Sequence, residues 1–316
     1  MSSFLKENFQ LICLLIGLLS VLLSVLSFLR EMKKKRRQNG TLIDLNDYTL
    51  SGGGKLGESY VHRTNPDVLL KLYPQNLEAM GREEYERACK VFELGVPSPE
   101  PGELVHTGDG RIGILFKRIA GKKSYARALA DNPEHLEEYA ATFARMSKEL
   151  HAIRPKAGTF PKIKDQYKAA IALNPYLNGK EKEAVLRFID GLPDADTALH
   201  GDLHQGNIIF TEDGKQYFID LSEFCTGSPL FDLGIMMIQT CWLPEEEERE
   251  LYHIGLDTSK AFWKAFVRAY FGPDASLEEV QAQLRPYAFL RILTIERSLG
   301  SPRMEIRPAL HELIGI

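Results

Sequence analysis

The chain has 316 residues, 44% hydrophobic and 26% charged, an ordinary globular composition with enough apolar material for one large or two modest cores. Its net charge of −4 is unevenly spread, because residues 1–40 hold seven basic side chains against two acids and leave an acidic body behind them. Such a body argues against nucleic acid as a partner, since phosphate backbones demand a basic face.

Between Leu11 and Leu29 no residue is charged, and Leu, Ile and Val dominate. As one helix, residues 9–29 would measure roughly 30 Å, the thickness of a bilayer core. A cleavable signal peptide fits less well: the apolar run is long, its positive flank follows rather than precedes it, and no A-x-A-like site comes after. The expectation is a single uncleaved transmembrane helix and a basic linker over residues 1–40. The basic cluster 33–37 would keep that end, and the body beyond it, on the cytoplasmic side and can rest on anionic lipid. Gly17, Ser20, Ser24 and Ser27 share one helical face. A homodimer through close helix packing is one reading of that stripe, a helix facing only lipid the other.

Residues 41–73 read as strands. Tyr48 to Ser51 lead into a turn of Gly52, Gly53 and Gly54, and residues 67–73 (DVLLKLY) form an apolar strand holding one cation, Lys71. Backbone amides in that glycine turn could cover phosphates, though three glycines also make an ordinary flexible turn. Residues 77–94 have helical spacing at Ala88, Val91 and Leu94, and Gly95 stops them. Pro97, Pro99 and Pro101 force an extended loop, followed by strands near 103–107 and 111–117. After Ile119 the pattern turns helical, over 133–151, 164–173, 179–190, 230–242, 245–254, 258–271 and 276–299. Two short strands, 207–211 and 216–220, are joined there by Glu212, Asp213 and Gly214. The acids Glu245 to Glu248 follow Pro244 and read as a helix start facing the positive dipole end. Cys13, Cys89, Cys225 and Cys241 have no metal-ligand spacing and read as free thiols.

The strongest chemical signal is LHGDLHQGN, residues 199–207, with the form H-x-D-x-x-x-x-N on a loop entering a strand. Phosphoryl transfer needs a carboxylate beside the attacking hydroxyl and an oxygen that helps hold Mg²⁺ on the phosphates. Asp202 and Asn207, five apart on one loop, suit both tasks. Thirteen residues on, Phe218-Ile219-Asp220 ends an apolar strand in a carboxylate that can bridge metal ions on the β- and γ-phosphates. His200 and His204 would make a metal pair only on a helix, which Gly201 and Gly206 disfavour.

With these residues the chain resembles the aminoglycoside phosphotransferase and choline-kinase-like branch of the protein-kinase-like fold. The resemblance rests on HGDLHQGN at 200–207, IDLSEFCTGSPLFDLG at 219–234 and ELHAI at 149–153, and covers about 42–300. ELGVPSPEP at 93–101 and GILFKRIAGKKS at 113–124 resemble a bacterial subgroup in particular. Ser228 departs from the family, where many members have Asp after the glycine.

The resemblance implies an α+β fold of two lobes, a small β-rich lobe with one helix (41–118) and a larger, mainly helical one (119–316). It makes Asp202 the catalytic base, Asn207 and Asp220 the Mg²⁺ ligands, and Asp232 a buried acid steadying the catalytic loop. Lys71 would reach the α- and β-phosphates and pair with a helix glutamate. Glu84 is the choice, on the face of Ala88 and Val91, with Glu83 and Glu86 as alternatives. Main-chain groups from Lys117 to Ile119 would meet the purine. The catalytic loop has no Arg or Lys, so charge neutralisation is expected to fall on metal and Lys71. The implied enzyme is a kinase moving the γ-phosphate of ATP (or GTP) to a small-molecule hydroxyl. The acidic body points to a cationic acceptor, and the N-terminal helix to one at a membrane. A membrane-tethered protein kinase and a non-catalytic nucleotide-binding scaffold are the alternatives.

Overall fold

A computed structural model describes residues 19–25, 27, 40–54 and 57–316. The chain divides into two compact units. Unit one comprises residues 1–85 and 101–118, and unit two residues 86–100 and 119–316.

The first unit is a six-stranded sheet. Its strands are β1 (Thr41–Ile43), β2 (Tyr48–Gly54), β3 (Gly57–His62), β4 (Val68–Leu72), β5 (Pro101–Thr107) and β6 (Ile112–Lys117). They lie in the order β1-β5-β6-β4-β3-β2, all antiparallel except the β1–β5 pair. Alternation along β4 decides its faces: Leu70 and Leu72 are fully buried in a small core with Tyr48 and Val105, and Lys71 between them points the other way. Helix α1 (Glu78–Glu93) follows. Its periodicity buries Glu84 and Ala88 and exposes Glu83 and Glu86.

Helices dominate the second unit: α2 (Tyr125–Asp131), α3 (Leu136–Ala152), α4 (Ile163–Leu173), α5 (Gly179–Gly191), α6 (Leu230–Met237), α7 (Glu245–Tyr252), α8 (Leu256–Phe271), α9 (Leu277–Leu299) and α10 (Arg307–Ile314). Local chemistry sets several ends. Asn178 and Glu181 form a capping box at α5, Ser276 caps α9, and Gly300 closes it in the left-handed region. Phe143 of α3 meets Phe262 and Phe266 of α8 edge-on, each at 5.8 Å between centroids, in the centre of the core. Short strands thread this helical body. β7 (Lys123–Ser124), β9 (Ile208–Phe210) and β10 (Gln216–Phe218) form one small sheet, and β8 (Thr197–Leu199) pairs with β11 (Cys225–Gly227) in another.

The transmembrane helix and the single-pass membrane placement expected from residues 9–29 are corrected by the structure. No helix among the described residues is long and apolar enough to cross a membrane. Residues 9–18, 26, 28 and 29 of the expected span, Gly17 of the small-residue stripe, and the basic cluster 33–37 lie outside the described residues. Cys89, Cys225 and Cys241 form no disulfide; Cys13 lies outside the described residues.

Candidate active site

Two strand pairs place the loop of residues 200–207. On one side Leu199 of β8 is in register with Cys225 of β11, and on the other Ile208 of β9 is in register with Phe218 of β10. The loop and the segment 219–224 are therefore held side by side at both ends. The Ile219 amide donates to the Asn207 carbonyl at 2.9 Å, which sets Asp220 next to Asn207. Asp220 itself is exposed and left-handed, with φ 56° and ψ 60°. For a non-glycine residue that conformation costs on the order of 1 kcal/mol or more, and such outliers gather where a side chain must be aimed.

Asp232, on α6, holds the start of the loop. Its fully buried carboxylate accepts the amides of His200 (2.8 Å) and Gly201 (2.9 Å), and His151 Nε2 lies 3.1 Å away. Gly201 has φ +83°, and a Cβ there would run into the carbonyl oxygen of Glu223, so only glycine fits. His200 is a structural residue. Its Nδ1 accepts the Asp202 amide at 3.3 Å, and its Nε2 faces the Ile219 carbonyl at 2.9 Å, so a neutral ring with the proton on Nε2 satisfies both. The segment is a loop, and no group of three or more metal-ligating His, Cys, Asp or Glu side chains occurs among the described residues.

The Asp202 side chain is 26% exposed. Asn207 Nδ2 donates to the Asp202 carbonyl at 2.9 Å and lies 3.4 Å from its Oδ2, which turns the amide oxygen of Asn207 away from Asp202. His204 Nε2 is 3.6 Å from the same Oδ2. Oδ1 accepts from Arg291 Nη2 at 3.0 Å. Burial works against ionisation of Asp202, but His204 and Arg291 outweigh it and hold the carboxyl well below the usual carboxylate range.

Arg291 is the residue that sequence reasoning missed. The loop of residues 200–207 has no Lys or Arg of its own, yet a guanidinium reaches it from α9. Arg291 also donates to Glu223, from Nη1 at 2.5 Å and from Nη2 at 3.2 Å, so one side chain joins two carboxylates. Glycine makes that approach possible. A Cβ at Gly234 of α6 would lie 2.8 Å from Cβ of Tyr287 on α9, so the two helices touch there. Arg291 is one turn along from Tyr287 on the same face. Nothing in the local sequence marks it: the signal is purely tertiary.

In the first unit, Lys71 Nζ pairs with Glu84 Oε1 at 2.6 Å, with Glu84 only 4% exposed. The alternatives Glu83 and Glu86 face outward. Gly52, Gly53 and Gly54 are not a turn but the end of β2, in register with Ser59, Glu58 and Gly57. Residues 55 and 56 lie outside the described residues. Side chains added at Gly52 or Gly53 would meet nothing, so their backbone is open on that side. Lys117 ends β6 opposite Val68, and Ile119 begins the part of the second unit that follows.

Asp202 thus stands beside an amide and a second carboxylate, on a loop clamped by the buried Asp232. The profile of the phosphotransferase enzyme family matches residues 50–278. The chain belongs to this phosphotransferase enzyme family. It is accordingly an enzyme of the kinase type, passing a phosphoryl group to an alcohol group. Solved structures with the same protein-kinase-like fold include the aminoglycoside phosphotransferase APH(3'')-Id from Streptomyces rimosus, at 18% identity, covering 78% of this chain and 92% of that one, TM-score 0.53. Its complex with ADP and streptomycin, also 18% identical, covers 82% and 95% at TM-score 0.53. The amicoumacin kinase hAmiN, in complex with AMP-PNP, Ca²⁺ and Ami, is 14% identical and covers 90% of this chain and 91% of that one at TM-score 0.54. No curated protein matches the chain.

Proposed function

We propose that this phosphotransferase moves the γ-phosphoryl group of ATP, or of GTP, to a hydroxyl of a small molecule, with Asp202 as the catalytic base. The observation that carries the reading is the bond from the Asn207 amide to the Asp202 carbonyl, together with the main-chain tie from Asn207 to Ile219. These bonds hold Asp202, Asn207 and Asp220 on two adjoining segments. The nucleotide and the divalent ion bound by hAmiN, and the ADP bound by the Streptomyces rimosus enzyme, support a nucleotide donor and a metal.

Asn207 and Asp220 fit Mg²⁺. Both offer hard oxygen donors, and Mg²⁺ needs only one or two protein ligands when phosphates and water supply the rest. When bound, the ion would neutralise charge that gathers on the phosphate oxygens. Asp202 orients the acceptor hydroxyl for in-line attack. The acceptor oxygen bonds to the γ-phosphorus, the bond from phosphorus to the β–γ bridging oxygen breaks, the diphosphate leaves with that electron pair, and the hydroxyl proton passes to Asp202. Lys71, held by Glu84, serves the α- and β-phosphates. The amides of Gly52, Gly53 and Gly54 serve the same phosphates, and the main chain from Lys117 to Ile119 the purine. Positioning and electrostatics supply most of the rate in such a scheme.

The streptomycin and Ami bound by the two neighbours, and the acidic body of this chain, favour a cationic hydroxyl compound as acceptor. The test is a screen of aminoglycosides, choline, amino-alcohols, sugars and amino acids with the full chain and Mg²⁺-ATP or Mg²⁺-GTP, read as the mass gain of one phosphate. A nucleotide-dependent gain on one class supports the reading. If the protein binds neither nucleotide and leaves every γ-phosphate intact, the reading is wrong.

A further inference from the structure

Arg291 stands out among the groups that the scheme above does not use. It is 9% exposed, comes from a helix 89 residues away in sequence, and ends between Asp202 and Glu223. An arginine buried this deeply is costly unless its charge is matched, and here two carboxylates match it. Glu223 alone would satisfy that need. The bond to Asp202 goes further, because it removes one of two equivalent oxygens from play. With Oδ1 bound at 3.0 Å, rotation of the carboxylate would break that bond, and Oδ2 is the oxygen left to meet a hydroxyl. Oδ2 has only long contacts, 3.4 Å to Asn207 Nδ2 and 3.6 Å to His204 Nε2.

We propose that Arg291 is a positioning residue for phosphoryl transfer: it locks the Asp202 carboxylate so that Oδ2 alone faces the acceptor hydroxyl, with Glu223 holding the guanidinium in place. This inference rests on Asp202 being the base. The guanidinium takes no proton and forms no bond to substrate; the hydroxyl proton still passes to Asp202 as the oxygen–phosphorus bond forms. A planar fork is needed for the task, since its two nitrogens reach Glu223 while one of them also holds Asp202. A lysine ammonium can hold Asp202 but cannot reproduce the fork.

The experiment measures release of the γ-phosphate from Mg²⁺-ATP, to water or to an acceptor, by the full chain and by Arg291→Met, Arg291→Lys, Glu223→Gln and Asp202→Asn. Arg291→Met should lower kcat about a hundredfold, the scale of a misplaced reacting group, with KM for the nucleotide within about threefold. Arg291→Lys should recover roughly a tenth to a third of the rate, and Glu223→Gln should lose less than about tenfold. If Arg291→Met does not fold, the double variant Arg291→Met with Glu223→Met removes the pair without leaving Glu223 unmatched, and the same hundredfold loss is expected. A kcat within about threefold of wild type in a folded Arg291→Met or double variant overturns the inference, as does equal loss in the Met and Lys variants. If Asp202→Asn abolishes turnover and Arg291→Met does not, the inference alone fails. If wild type shows no turnover, or Asp202→Asn keeps it, the base assignment fails and the inference falls with it.

Discussion

The Gly201 amide donates to the fully buried Asp232 carboxylate at 2.9 Å, and this bond fixes the loop that carries Asp202. Asp232 also takes the His200 amide at 2.8 Å, so two consecutive backbone donors meet one acid. Charge-assisted bonds of this kind are stronger than neutral ones, and a buried donor left without a partner is expensive. Asp232→Asn should therefore cost about 2–4 kcal/mol, because an amide group turns one donor toward another. Gly201→Ala should be comparably harmful through its positive φ and the Glu223 carbonyl. Urea unfolding with an unchanged slope tests both, and a loss below about 0.5 kcal/mol in either would contradict the anchoring role.

Glu248 predicts how stability follows pH. It is fully buried on α7, one oxygen bonded to the Ser259 hydroxyl and the other without a partner. Burial pushes its carboxyl from 4.5 up to about 7, against the smaller opposing pull of the Ser259 bond and His204. The folded state then holds a proton that the unfolded state has released, so this contribution is fully present below pH 4.5 and is lost as pH rises through about 7. Across that interval wild type should lose on the order of 2–3 kcal/mol relative to Glu248→Gln, which keeps the shape and cannot ionise. Unfolding free energies of the two proteins at pH 5 and pH 8 give the difference, and parallel pH curves would contradict it.

The ion pair of the first unit predicts an asymmetry. Glu84 is 4% exposed and Lys71 20%. Lys71→Met strands an acid in the interior, whereas Glu84→Gln leaves a long cation that can bend toward water. The lysine variant should be destabilised by about 1–3 kcal/mol and the glutamine variant by less. Both should weaken Mg²⁺-ATP binding if Lys71 serves the phosphates. Calorimetric titration with nucleotide, beside denaturant unfolding, checks the two effects separately.

Much of the fold was legible because the local signals agree. Helix α5 runs Gly179–Gly191 where the spacing gives 179–190, and α9 runs Leu277–Leu299 where it gives 276–299. The hairpin of Ile208–Phe210 and Gln216–Phe218 lies inside the two expected strands. Glu84 was the partner expected for Lys71, since helix periodicity alone sets it inward. Other features were not legible. The pairs β8–β11 and β7–β9 are two or three residues long, below the length at which alternation can be read. The expected helix 230–242 changes to a wider π winding over Ile238–Trp242, where the Thr240 hydroxyl bonds back to the Met236 carbonyl. Arg291 carries no local signal, because its meaning comes from Gly234 and Asp202 in other parts of the chain. The glycines at 52–54 suggested a turn, but strand pairing with residues 57–59 took them into β2. Hydropathy over residues 9–29 suggested a membrane span, and no described helix is long and apolar enough to make one.

Phosphoryl transfer by the Asp202→Asn variant tests the central claim most directly. The substitution keeps the shape of the side chain and removes its capacity to accept the hydroxyl proton. Turnover of Mg²⁺-ATP with an acceptor should fall at least about a thousandfold, while nucleotide affinity stays within about threefold. A variant that transfers phosphate at close to the wild-type rate would show that the base lies elsewhere.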